Sequence, residues 1–221
     1  MPLTDIHIHH SQPETGVVFI RNLFPGEPFP DGETERFFSV GLHPWFLKSA
    51  EENAGLMELV AEKAALPQVV AVGECGLDKL TKAAWEIQTD VFVQHVLLSE
   101  RLQKPLILHC VRAHNEIFHF RRQLKPTQPW VIHGYTGNEN LTRQLLGAGF
   151  LFSFGFVLLN EKARAAASLQ MLPPGKFFLE TDDFEITIGE VFQKAAQLRQ
   201  VPATQLQEQL LQNFQKIFLK K

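Results

Sequence analysis

Residues 69–109 read VVAVGECGLDKLTKAAWEIQTDVFVQHVLLSERLQKPLILH. A short β-branched run, Val69–Glu74, is followed by a long segment with Ile87, Val91, His95, Leu98 and Leu102 at helical spacing. A second apolar run, Pro105–His109, then closes the stretch. Strand, helix, strand in that order is the pattern of a parallel sheet with a helical crossover. Downstream it repeats: strands are expected at Trp130–His133, Phe150–Phe154 and Phe177–Thr181. Helices are expected at Thr81–Gln103, Ala113–Leu124, Glu139–Gly147, Glu161–Met171, Thr187–Gln200 and Ala203–Lys220. The last helix carries the stripe Leu206, Leu210, Phe214, Phe218, which must pack on something.

Upstream, strands are expected at Leu3–His9, Gly16–Asn22 and Phe37–Leu42, and a helix at Ala50–Ala65. Only six residues separate His9 from Gly16, too few for a helical crossover, and residues 23–36, LFPGEPFPDGETER, read as loop. The 221 residues predict one domain, 1–221, with no linker inside it. That length is short of the roughly 250 usual for an eight-unit α/β barrel.

Composition excludes several classes. Net charge is −3, from 21 Lys+Arg against 24 Asp+Glu, so no broad basic field exists to hold long nucleic acid by charge alone. Two cysteines, Cys75 and Cys110, without CxxC spacing, argue for a reducing, cytoplasmic setting and against a disulfide framework. The N-terminus MPLTDIHIHH lacks the features of a secretory signal, and no apolar run is long enough to span a membrane. Nothing in the sequence calls for an obligate protein partner.

Metal-type residues recur at the C-terminal ends of the expected strands: His7 and His9, Glu74, His109, His133, and Glu180 with Asp182. Side chains alternate along a strand, so His7 and His9 share a face with Asp5, Glu74 with Val70 and Val72, and Glu180 with Asp182. Taken singly, each has a structural explanation. His109 could be a satisfied core histidine, Glu74 a hydrogen-bonded carboxylate, Asp182 an N-cap or turn residue. Together, the four histidines with Glu74 and Asp182 at strand ends suit one or two divalent cations, Mg, Mn or Zn, because burying so many ionisable groups unpaired is costly. Trp45 and Phe46 could line a pocket, stack a base or form an apolar rim. His95 reads as a packed histidine, and His10 as surface or mouth. Cys75 and Cys110, each next to a ligand candidate, read as structural thiols on the helix-facing side.

The ordered motifs resemble those of the TatD-like metal-dependent hydrolases, TatD-type deoxyribonucleases within the amidohydrolase-type barrels. They are Asp5-Ile-His7-Ile-His9, Gly41-Leu-His43-Pro44, Val72-Gly-Glu74-Cys-Gly-Leu-Asp78, Gln88 with Phe92, Pro105-Leu-Ile-Leu-His109, His133-Gly-Tyr135-Thr-Gly137, Leu179-Glu-Thr-Asp182, and Asn213-Phe214-Gln-Lys-Ile-Phe218. The resemblance implies a TIM-like (β/α) barrel, here with shortened early βα units. It implies His7 and His9 on one metal, Glu74 bridging, His109 and His133 on the second, and Asp182 as ligand and activator of the attacking water. Glu74 and Asp182 are thus the catalytic candidates. His43, Arg112 and Tyr135 are the candidate substrate contacts, His43 having a loop-fixing hydrogen bond as its structural alternative. Asp78 is expected to support a ligand.

The sequence departs from that pattern in three places, the first being a shorter stretch between the first motif and Gly41. Val111 stands where the family commonly has Arg, with Arg112 next door. Asp183-Phe184 replaces the usual small residue and proline, and the basic loop that follows is missing. The expected function is therefore divalent-metal-dependent hydrolysis of phosphodiester bonds in weakly held DNA. The alternatives are a related barrel hydrolase acting on a small phosphoester, ester, lactone or amide, or a non-catalytic metal-binding protein.

Overall fold

The computed structural model describes residues 1–9, 15–30, 37–160 and 164–219. The elements are β1 (Leu3–Ile8), β2 (Val17–Leu23), β3 (Phe37–Val40), α1 (Ala50–Ala64), β4 (Val69–Asp78), α2 (Trp85–Leu102), β5 (Leu106–Val111) and α3 (His114–Leu124). They continue with β6 (Trp130–Ile132), α4 (Glu139–Gly147), β7 (Leu151–Phe154), α5 (Arg164–Met171), β8 (Phe177–Leu179), α6 (Ile188–Arg199) and α7 (Ala203–Phe218). The strand order in the sheet is β1-β2-β3-β4-β5-β6-β7-β8. Every expected strand and helix is present, with ends shifted by a few residues. The expected start of α5 at Glu161, the last residues of α7's expected span and His10 lie outside the described residues.

Packing divides the chain into two compact units, Asn22–Val131 and Met1–Arg21 with Ile132–Lys221. In the first, β4 is buried along all ten residues, the near-continuous apolar strand that a sheet covered on both faces requires. It pairs in parallel with β3 (Val40 opposite Val72) and with β5 (Gly76 opposite His109, Asp78 opposite Val111). The strand therefore runs four residues past its expected end at Glu74. Gly73 and Gly76 have φ of 131° and 148°, and a Cβ on either would strike the carbonyl oxygen of Ile107 or His109. Only glycine lets the β4 backbone lie this close to β5.

Helix α1 opens with a capping box, Ser49 and Glu52 each accepting from the other's backbone N–H. Helix α2 buries Gln88, Val91, Phe92, His95, Val96, Leu98 and Ser99, and Phe92 meets Trp130 edge-on at 5.5 Å. Burial of one such ring is worth about 2–3 kcal/mol.

In the second unit β1 and β2 are parallel neighbours (Leu3 opposite Val17, Asp5 opposite Phe19), and β7 pairs with β8 (Phe154 opposite Leu179). The chain leaving β8 returns to β1. Asp182 N donates to His7 O at 2.9 Å, and His9 N to Asp182 O at 3.4 Å. Helix α7 buries the predicted stripe Leu206, Leu210, Phe214 and Phe218. Asn213 ties it to the start of β8 by donating to Pro174 O (2.8 Å) and Phe177 O (3.1 Å).

Candidate metal centre

In the second unit the end of β1, the residue after β6 and the segment after β8 bring His7, His9, His133 and Asp182 together. Asp182 Oδ1 lies 3.4 Å from His9 Nε2 and 3.6 Å from His7 Nε2. The His7 and His133 rings are 4.3 Å apart. Ligand atoms of His7, His133 and Asp182 all fall within 4.8 Å of one another. Asp182 holds a left-handed φ of 57°, which aspartate tolerates better than most residues.

Two buried carboxylates support this group. Glu180, wholly buried, accepts from Gly134 N, and its Oε1 lies 3.6 Å from His133 Nδ1. Asp5 accepts from His7 N (3.2 Å), Thr181 N (3.2 Å) and Thr181 Oγ1 (2.6 Å). Burial pushes the Asp5 carboxyl up to about 7, against the pull of those hydrogen bonds.

In the first unit His43, Glu74, Asp78 and His109 form a chain of contacts. Glu74 Oε1 is 2.9 Å from His109 Nδ1 and 3.2 Å from His43 Nε2. Asp78 Oδ2 is 3.2 Å from His109 Nε2 and accepts from Trp45 Nε1 at 2.6 Å. Burial pushes the Asp78 carboxyl up, but the bonds from Trp45, Leu80 and His109 outweigh it, so it sits below the usual carboxylate range. Asn22 Oδ1 accepts from Glu74 N at 2.7 Å and Ser39 Oγ at 3.1 Å, fixing the backbone that carries Glu74.

The donor chemistry fits divalent cations. Neutral imidazole and carboxylate together suit borderline metals such as Zn and Mn. His109 has the support such ligands use: Asp78 on Nε2 leaves Nδ1 as the donor atom facing Glu74. His43 is different. Its Nδ1 accepts from Trp45 N at 3.1 Å, so the proton sits on Nε2, the nitrogen that faces Glu74. In that tautomer His43 is a hydrogen-bond donor, not a ligand.

Tyr135, expected at the substrate, is a core residue. It is 1% exposed, packs on Phe152 and Phe154, and its hydroxyl meets Thr142 Oγ1 at 2.9 Å. Arg112 is exposed with a left-handed φ of 52° directly after β5. Cys75 is buried and Cys110 half-buried. Burial pushes the Cys110 thiol up to about 12 and Cys75 well above its ordinary value, so neither is a nucleophile. His95 is packed as read, wholly buried and hydrogen-bonded. The sequence reading missed Asn22, and it did not see Asp5 and Glu180 as supports. The signal for Asp5 and Glu180 was their phase with the ligand candidates; nothing marked Asn22. Phe184 stacks on Phe156 at 4.7 Å and 10°, both exposed. Beside them a cavity of about 310 Å³ is lined by Asp5, Ile8, Phe19, Thr181, Asp182 and Phe184 among others.

A family model described as TatD related DNase matches residues 32–219. The chain belongs to this family. Its relatives include a Haemophilus influenzae protein named as an uncharacterized metal-dependent hydrolase, 25% identical over 86% of this chain and 79% of that protein. Another is the 3'-5' ssDNA/RNA exonuclease TatD of Citrobacter rodentium, 30% identical over 75% of this chain. This chain spans 64% of that exonuclease's length. The crystal structure of YJJV, a TatD homologue from Escherichia coli K12, superposes with a TM-score of 0.86 at 22% identity, over 99% of this chain and 98% of that one. That likeness shows the TatD-family fold, a TIM-like barrel of parallel strands with helices between, as the motifs implied.

Proposed function

We propose that this TatD-family chain is a divalent-metal-dependent hydrolase of phosphodiester bonds in single-stranded nucleic acid. The observation that carries the reading is the seating of its ligand-type side chains. Each unit gathers imidazole and carboxylate donors at its strand ends, backed by buried carboxylates that orient them. The family match and the exonuclease relative support the reaction class.

In this reading His7, His9, His133 and Asp182 in one unit, and Glu74 and His109 in the other, hold one or two ions of Mg, Mn or Zn. Such ions, when bound, lower the pKa of water towards neutrality and offset charge on phosphate oxygens. Asp182, a quarter exposed beside His9, takes the proton from the attacking water. Glu74 Oε1 stays between His43 and His109, which keeps the carboxylate oriented. His43 donates its Nε2 proton to Glu74 Oε1, so its part is to position that carboxylate beside the substrate. Arg112, exposed at the end of β5, is the candidate cation for the substrate's backbone. A cytoplasmic site of action belongs to the same proposal, supported by two free cysteines.

A second reading, hydrolysis of a small phosphoester, is favoured by one observation. Helix α6 begins at Ile188, only six residues after Asp182, leaving little chain to wrap a polymer. The test is hydrolysis of single-stranded DNA and RNA beside a panel of small phosphoesters, with Mg, Mn and Zn supplied in turn. Cleavage of the strands is expected. Turnover confined to small esters would overturn the nuclease reading, and no turnover with any metal would overturn the hydrolase reading.

A further inference from the structure

Trp45 stands out among the exposed aromatic side chains. It is 63% exposed, yet held at both ends. Its backbone N donates to His43 Nδ1 at 3.1 Å, and its indole Nε1 donates to Asp78 Oδ2 at 2.6 Å. The indole meets the His43 ring (5.0 Å, 87°) and the His109 ring (5.9 Å, 74°) in T-shaped arrangements. With its polar edge tied to a buried carboxylate and more than half of its surface exposed, the indole is held in place at the surface. Phe46, 48% exposed and backed edge-on by Phe24 at 4.7 Å, lies in the same turn. Leu80, 61% exposed, donates its backbone N–H to the other oxygen of Asp78.

An isolated exposed apolar side chain needs no explanation. A fixed indole beside the Glu74–His109 pair is another matter, because a phosphodiester bound there carries a base on the next sugar. The chain's net charge is −3, and His43 and His109 stand among the carboxylates of Glu74 and Asp78. Stacking is the grip that needs no positive charge. It is worth roughly ten- to a hundredfold in affinity per base and is indifferent to base identity.

We propose that the exposed face of Trp45 is a stacking seat for one unpaired nucleobase of the substrate strand. This rests on the nuclease reading and sharpens it. It requires a base free of its own stacking and pairing partners, hence a single strand.

The experiment uses the full chain as wild type, Trp45→Phe and Trp45→Ala. Binding of a labelled, hydrolysis-resistant phosphorothioate oligothymidylate is compared with that of an abasic strand of equal length by fluorescence anisotropy in Mg. Thermal melts confirm that the variants fold. Trp45→Ala should weaken the base-bearing strand about tenfold or more and move the abasic strand far less. Trp45→Phe, which keeps a ring but loses the N–H, should stay within about threefold of wild type. Three results would overturn the seat: both strands weakening together, Phe proving as damaging as Ala, or wild type failing to prefer bases. The middle result would show that Trp45 serves only to hold Asp78. Strand hydrolysis by wild type, followed in parallel, reports on the nuclease reading separately.

Discussion

His95 bridges helix α2 and the backbone of Leu42: Nε2 accepts from Leu42 N at 3.0 Å while Nδ1 faces Val91 O at 2.8 Å. The two bonds define one neutral tautomer, with the proton on Nδ1. Protonation would set two donors against each other at Leu42, the residue before His43. Burial lowers the His95 pKa from 6.5 to about 4. The unfolded chain therefore takes up a proton below 6.5 that the folded chain refuses until about 4. Stability from this group is complete above 6.5 and falls by about 3 kcal/mol as pH drops to 4. His95→Leu removes that slope but strands the Leu42 N–H, at a cost of about 2 kcal/mol. Urea unfolding at stepped pH should show the variant less stable at pH 8 and equal or better at pH 4. Parallel curves would refute the assignment. The difference between proteins is the quantity to read, since Asp5, raised to about 7, acts in the opposite sense over the same range in both.

His7→Ala with His9→Ala should lower bound Mn or Zn by at least one ion per chain. Elemental analysis after dialysis against the metal gives the number. An unchanged stoichiometry would remove both residues from the ligand set.

Asp78→Asn tests the support beneath His109. One Asp78 oxygen receives Trp45 and faces His109, and the other receives Leu80. An amide turned either way sets its NH2 against a donor. Metal affinity measured by calorimetry should fall about 10- to 100-fold, and wild-type affinity would show that Asp78 does not orient a ligand.

Asp182→Asn keeps the size of the side chain and the tolerance for φ of 57°, but removes the charge and the base. Strand hydrolysis should fall by about 10²- to 10⁴-fold with little change in the thermal midpoint. Near-wild-type turnover would assign the proton transfer elsewhere.

Gly76→Ala places a methyl group against the His109 carbonyl at a φ of 148°. With backbone on both sides of the clash, the strands must part, at a cost of about 3 kcal/mol. Denaturant unfolding measures it, and a neutral substitution would mean that the β4–β5 spacing is not set here.

The parts of this fold legible in the sequence are those written in local pattern. Val69–Val72, Leu106–Leu108 and Trp130–Ile132 are apolar runs that end on a metal-type residue, and Leu206 to Phe218 is a plain helical stripe. The side chains of His7, His133 and Asp182, read from strand phase, do meet. What stayed hidden is set by partners far along the chain. Asn22 holds Glu74 N across 52 residues, and Leu42 N finds His95 across 53. No periodicity records such bonds. Tyr135 misled because a motif position beside His133 suggested the site, whereas its ring went to the Phe152 and Phe154 side of the core. Strand β4 runs beyond Glu74 because Gly73 and Gly76 let its backbone lie close to β5, a neighbour that local pattern does not record.

Asp5 binds Thr181 across 176 residues, and the backbone of Asp182 is knitted to His7 and His9. The ligand group containing these residues cannot exist on a nascent chain until Asp182 has left the ribosome. At 5–20 residues per second, His7 waits roughly 10 to 40 s for Asp182. This ligand group is therefore assembled after translation of the segments that carry it and not during it.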